Sequence, residues 1–438
     1  MNSFLINTGC LSIVALILFS LWRRTHDLLL CANIFSACFA FLVLGSQVWC
    51  RITENPFYPT SKTVLLLYTG WISFLLGMVI TVQRMPQGLS TLRIAPVGRN
   101  AKWVLVALIL AHVAYTVAVS KFTGLLATFQ LNNLAGSLAA NRLSRSEDFL
   151  NSSHVGWYFE AWHTAYVYYV PLAIFLYWQK QISRRSLVFV WCLAGALSLV
   201  QFSRTPFVML VVYGLVTWTV LFRPSGLKMA RIAGGLLCVA VALFAGMQAV
   251  LDREDINSHL DLSVQLGTYA FSSALGFQEL VNGNLDKDDN PHHALYVGTG
   301  LYYFMGKLSL LNAEEYPTPY RAFVFVPFPT NVYTFLNDFE LDLGTIGIIL
   351  GPFVMGIGMA WVYNRLRMCV TYPLVLLYGL CVYTCSLAIL ANFLVSASPV
   401  IFLGIVFLLR PLVSSRARPR ALMSRPGHSA QLRIQPRV

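Results

Sequence analysis

Apolar runs of about twenty residues recur along almost the whole chain, and no other feature limits its fold as much. A helix of that length spans the roughly 30 Å hydrocarbon core of a bilayer. In lipid, only helices and closed barrels satisfy every backbone polar group. Eleven such segments are expected, near residues 4–22, 28–48, 63–83, 103–120, 157–178, 186–202, 206–222, 232–250, 342–363, 370–389 and 393–410. Of 438 residues, 57% are hydrophobic and only 11% charged, where a soluble domain carries about 25%. The chain therefore reads as an all-α polytopic membrane protein. The first run has no basic segment ahead of it and no small-residue cleavage site, so it is expected to be a retained helix.

The net charge of +13 resembles a nucleic-acid signature until its distribution is read. Alternate loops carry Arg23 and Arg24; Arg84, Arg93, Arg99 and Lys102; Lys180, Arg184 and Arg185; Arg223, Lys228 and Arg231; Arg365 and Arg367; and a tail that begins with Arg410. Together they hold 21 of the 31 basic residues, accompanied by one acid, Asp27. The positive-inside rule makes that side cytoplasmic, with the N-terminus outside and the C-terminus inside. The charge is then a topology signal, and no nucleic-acid partner is expected.

The domain organisation follows. Residues 1–120 hold four helices, and 121–156 form a first long exterior loop. Residues 157–250 hold helices five to eight, and 251–341 form a larger exterior loop with twelve of the eighteen acids. Residues 342–410 hold the last three helices, and 411–438 form a basic tail expected at anionic headgroups. Within the larger loop, VQLGTYAFSSALGF (264–277) and LYVGTGLYYFMGKLSLL (295–311) are expected to lie on or dip into the interface. Nine cysteines lie mostly inside apolar runs without any CxxC pair, which argues against a disulfide framework and a metal site.

One arginine breaks an apolar stretch. In VQFSRTPFVML (200–210), Arg204 stands between two expected spans with Ser203 and Thr205 beside it and no carboxylate near. A lone guanidinium within a bilayer costs roughly 2.5–3.5 kcal/mol. One reading is an interfacial anchor. The other is a rigid fork for phosphate oxygens at the exterior mouth of the bundle. A second stretch, RAFVFVPFPTNVYTFLNDFELDLGTIGIILGPFVMGIG (321–358), closes the larger loop. It gathers Asn331, Tyr333 and Thr334, then Asp338, Glu340 and Asp342, just ahead of a glycine-rich span.

SRTPF after an apolar span, a long exterior loop, and PTNVYTFLNDFELDLGTIG entering the next span resemble the bacterial oligosaccharide repeat-unit polymerases, the Wzy-type O-antigen and exopolysaccharide polymerases. The resemblance implies a membrane-embedded glycosyltransferase fold of the polymerase and ligase type, in the bacterial inner membrane, with its active site facing the periplasm. It implies that a polysaccharide on undecaprenyl pyrophosphate is transferred to a sugar hydroxyl of a new lipid-linked unit. It implies neither a metal nor another cofactor. A flippase and a chain-length regulator are the partners it implies.

Fixed cations would stabilise the departing pyrophosphate. Arg204 is the first candidate, Arg321 the second, and Arg142 and Arg145 in the first long loop follow. A general base must accept the proton of the acceptor hydroxyl. His292 and His293 suit that role near neutral pH, and Glu279, Asp338, Glu340 and Asp342 are the exterior carboxylates available. Ser203, Thr205, Asn331, Tyr333 and Thr334 are candidate substrate contacts. An O-antigen ligase would share this architecture. A transporter or flippase is the alternative from another class.

Overall fold

In the computed structural model, the structure describes residues 3–27, 30–54, 57–83, 93–98, 100–122, 164–200, 204–224, 228, 231, 234–235, 262–284, 294–307, 310–312, 315–317, 324–326, 329–330, 333–391 and 397–413. Twelve α-helices are described: α1 (Ser3–Thr25), α2 (Cys31–Ile52), α3 (Ser61–Thr81), α4 (Ala101–Phe122), α5 (Tyr166–Trp178), α6 (Arg184–Val200), α7 (Arg204–Phe222), α8 (Leu262–Val281), α9 (Thr299–Lys307), α10 (Leu336–Met368), α11 (Tyr372–Leu387) and α12 (Ala397–Val413). Five of them, α1 to α4 and α10, are long and apolar enough to cross a membrane, and α5, α7, α11 and α12 contain shorter apolar helices. This helical bundle fits an all-α polytopic membrane protein. The expected span at 232–250 and the loop at 121–156 lie almost wholly outside the described residues.

Helix starts follow from local chemistry. The Thr60 side chain caps α3 by accepting from the Thr63 amide at 3.3 Å. Thr371 does the same for α11 through the Leu374 amide at 3.4 Å, with a proline in the first turn. Such caps satisfy amides that the helix itself leaves unpaired.

The closest helix pair is α3 with α10. A Cβ on Gly77 would collide with the Phe353 carbonyl, and one on Gly356 would collide with the Phe74 carbonyl. The two backbones therefore touch directly, which is how small residues drive helix association without a hydrophobic force between helices. Next to this crossing, Phe35 stacks on Phe39 (4.6 Å) and packs on Phe74 (4.1 Å). On the other side, Tyr166, Tyr168 and Tyr169 of α5 and Tyr213 of α7 fill a fully buried aromatic layer, with Phe402 of α12 stacked on Tyr168 at 5.3 Å.

Contacts sort the two ends of the bundle by charge. Arg24 donates to the Val79 carbonyl (2.6 Å), and Tyr363 donates to Asp27 (2.9 Å). Strand β1 (Arg93–Ile94) pairs in parallel with β4 (Cys369–Val370), and the Gly98 amide donates to the Val413 carbonyl at 2.7 Å. Phe175 meets Tyr372 edge-on at 5.9 Å, so the C-terminal end of α5 and the start of α6 join the same end. Arg23, Arg24, Arg93, Lys102, Lys180, Arg184, Arg185, Arg365, Arg367 and Arg410 thus gather together.

At the opposite end, α8 lies across α2 and α3. Phe271 packs on Phe41 (5.1 Å) and Trp49 (6.0 Å), while Gln278 accepts from the Thr60 amide at 2.7 Å. A small hairpin, β2 (Val324–Phe325) with β3 (Pro329–Thr330), sits over Trp49, Cys50 and Leu275. The stretch expected at the interface from 264 is therefore one helix laid across the bundle's acid-rich end.

Candidate functional site

The stretch expected to be the end of a loop is instead a helical arm. The expected span at 342–363 begins six residues earlier, at Leu336, and α10 is broken at Gly344, whose φ of 59° and ψ of −145° are not helical. Phe339 lies over Gly347 and Gly351 beyond the break: a Cβ on Gly347 would strike the Phe339 carbonyl, and one on Gly351 would strike its ring. Residues 336–343 therefore fold back against 345–351 as a short arm, about 12 Å long at 1.5 Å per residue.

The arm starts inside the bundle. The Phe335 amide donates to the Ala388 carbonyl at the end of α11 (3.0 Å). Its ring meets Phe35 at 5.3 Å and Phe39 at 5.4 Å, both edge-on. Leu336 occupies the space that the missing side chain of Gly70 leaves in the middle of α3. Tyr333 packs with Trp49 and Val326. Residues 333–338 are all buried. The burial of Phe335 and Leu336, which hydropathy averaged over this polar stretch conceals, holds the arm in place.

That placement carries polar groups into the bundle. Thr334, 1% exposed, accepts from the Leu336 amide through Oγ1 at 3.3 Å. Asp338 is 7% exposed and Asn337 4%. Asn337 Oδ1 is buried with no hydrogen-bond partner among the described residues. One turn before Ala388, the fully buried Thr384 Oγ1 is in the same condition. An unsatisfied polar group costs about 1–3 kcal/mol, which a hydroxylated ligand or a water at either atom would relieve.

The three acids of the motif have different positions. Asp342, a candidate base by sequence, uses both carboxylate oxygens on the backbone: Oδ1 accepts from the Tyr296 amide (2.5 Å) and Oδ2 from Val297 (3.1 Å). It caps the 3₁₀ turn Tyr296–Gly298 that leads into α9. These two bonds tie the turn to the arm. Glu279 is likewise a loop tie, accepting from Asn284 at 2.8 Å. Glu340 is half-buried and Asp338 is the buried carboxylate of the three.

Asp342→Ala removes acceptors for two amides and should loosen the start of α9 by about 1 kcal/mol. Hydrogen exchange should rise at 296–300 and stay unchanged in α3.

Arg204 is the first residue of α7. Tyr177 packs on Phe222 at 6.1 Å, which puts the other end of α7 with the basic loops. Arg204 and Thr205 therefore start their helix at the acid-rich end, the end from which the arm enters. Tyr333 and Thr334 lie just ahead of α10, and Asp338 lies in its first turn. Ser203, Asn331, Arg321, His292, His293, Arg142 and Arg145 lie outside the described residues. Sequence reasoning missed Asn337, although it stands beside Asp338 in TFLND, and it missed the break at Gly344.

Compared with known protein families, curated proteins and solved structures, the chain matches none.

Gly344 offers a direct handle on the site. Its backbone lies close to a region essentially confined to glycine, where another residue costs about 1–3 kcal/mol. Gly344→Ala should leave the α3–α10 crossing intact and shift the arm. Crosslinking between cysteines introduced at Leu336 and Gly70 should fall, with normal protein yield.

Proposed function

We propose that the chain polymerises undecaprenyl-pyrophosphate-linked oligosaccharide repeat units. The growing polysaccharide is transferred from its carrier to a sugar hydroxyl of a new lipid-linked unit, at the periplasmic face of a bacterial inner membrane. The observation that carries this reading is the stretch 333–343, the arm with the three residues ahead of it, which brings a buried carboxylate, a buried amide and a buried hydroxyl into the bundle from the end opposite the basic loops. The resemblance of its PTNVYT…D sequence to the repeat-unit polymerases supplies the chemistry.

In this reaction the acceptor hydroxyl gives its proton to a general base, its oxygen bonds to the anomeric carbon, and the bond to pyrophosphate breaks. Asp338 is the described candidate for the base, with His292 and His293 as the loop candidates. Arg204 holds the departing pyrophosphate, and Arg321, Arg142 and Arg145 are further cations for it. Asn331, Tyr333 and Thr334 position the acceptor sugar, and Ser203 and Thr205 assist Arg204. A flippase would deliver the units, and a chain-length regulator would act on the product.

The test uses purified protein and lipid-linked repeat units without metal or nucleotide sugar. A ladder of longer lipid-linked products supports the proposal. Transfer onto a lipid A core acceptor in place of a ladder makes the enzyme an O-antigen ligase.

The buried Asp338 also favours a second reading, because a carboxylate on a broken helix inside a bundle is a common transport element. Loss of a flippase removes all surface polymer, whereas loss of a polymerase leaves cores capped by a single unit.

A further inference from the structure

Away from the arm, α6 and α7 meet where Trp191 lies over Gly214 and leave a groove beside that contact. One face of α6 presents Arg184, Val188, Trp191 and Cys192, at intervals of three and four residues. One face of α7 presents Val211, Gly214, Leu215 and Trp218. The gap between them has a volume of about 390 Å³, within the range of roughly 300–1,000 Å³ typical of ligand pockets. Its walls are apolar, and Trp191 lies over Gly214, where any Cβ would strike the indole. The gap opens outward, since Val188 and Cys192 are exposed. Water is a poor filler there, because a held water needs two to four polar partners.

Arg184 stands at the mouth of this groove and is exposed. Its end of the bundle is the one that gathers the basic loops. No Asp or Glu occurs in the sequence between Glu160 and Asp252, so α5, α6, α7 and the turns joining them offer this cation no carboxylate. Any anion that pairs with it comes from outside these elements. A membrane supplies one: anionic headgroups attract cations at this level, and basic pockets between spanning helices bind them.

We propose that the α6–α7 groove is a binding site for an anionic phospholipid of the leaflet at the basic end. One acyl chain lies between Trp191 and Trp218, and the headgroup phosphate sits on the Arg184 guanidinium. The site is separate from the arm and holds whichever reaction the arm performs.

Native mass spectrometry of the full chain tests this. The protein is released from detergent that contains phosphatidylglycerol and phosphatidylcholine with identical acyl chains. Wild type should keep one phosphatidylglycerol in preference to phosphatidylcholine. Arg184→Ala should lower that preference about fivefold, the effect of one surface cation on an anionic lipid, and Arg184→Lys should restore most of it. Arg185→Ala removes the neighbouring charge, which does not line the groove, and should leave the preference unchanged. Cys192→Trp fills the groove from an exposed position and should lower retention of both lipids. An unchanged preference in Arg184→Ala would overturn the proposal. So would an equal loss in Arg185→Ala, which would mean a diffuse surface potential. Displacement of phosphatidylglycerol by an equal concentration of a polyprenyl phosphate would also overturn it.

Discussion

Arg204→Ala should abolish chain extension, lowering the rate of ladder formation about 10²–10³-fold, while protein level and membrane insertion stay normal. That is the loss seen when one fixed donor to a developing anion is removed. The expectation rests on position and chemistry. Arg204 opens α7 at the acid-rich end, and its own segment, residues 161–251, contains no Asp or Glu. In the proposed reaction, negative charge would grow on the pyrophosphate oxygens, and a guanidinium fork could meet two of them at once. Arg204→Lys keeps the charge and loses the fork, so it should be partly active. The assay is the product ladder from purified protein and lipid-linked repeat units. An unchanged ladder in Arg204→Ala would return the residue to the role of an interfacial anchor.

Asp338→Asn should have a comparable effect for a different reason. Asn has nearly the same size and keeps an acceptor oxygen, so the arm should stay packed between Phe35, Phe39 and Gly70. It cannot take a proton. If Asp338 is the general base, the rate should fall about 10²–10⁴-fold, with acceptor binding little changed. The acid limb of the pH–rate profile should vanish with it. A variant that keeps the wild-type rate and profile would make Asp338 a structural carboxylate and move the base to His292 or His293. Single-turnover measurements at saturating acceptor separate a fall in the chemical step from a fall in binding.

The positions of the helices were legible in the sequence because hydropathy reports them directly. Ten of the eleven expected segments overlap a described helix; the one at 157–178 does so only from Tyr166, and 232–250 lies almost wholly outside the described residues. The grouping of Arg24, Arg93, Arg184, Arg367 and Arg410 at one end was legible for the same reason, since loop charge follows the membrane. The arm was not. Asn337, Asp338 and Glu340 read as a loop because their polarity lowers the local hydropathy, and what buries them is distant: Phe35 and Phe39 on α2, Gly70 on α3 and the Ala388 carbonyl. Gly344 read as one residue of a glycine-rich span. Gly347 and Gly351 do provide close packing, but against Phe339 of the arm, whereas Gly344 makes the turn. Asp342 looked like a free exterior acid, and only the position of the Tyr296 amide reveals a cap.

The α3–α10 crossing has a consequence for how the chain is made. Gly77 and Gly356 are in direct backbone contact, yet more than 250 residues separate the end of α3 from the start of α10. At ribosomal rates of about 5–20 residues per second, that delay is on the order of 10–50 s. During it α3 is in the bilayer with its closest partner unsynthesised and its small-residue face turned to lipid. The early helices must therefore persist as an unfinished half-molecule, and the last steps of biogenesis must bring α10 and α12 back to helices inserted long before. A chain truncated before α10 would leave α3 without this partner, whereas one truncated after Met368 would keep the crossing, so the nascent protein is most exposed to membrane quality control before α10 is made.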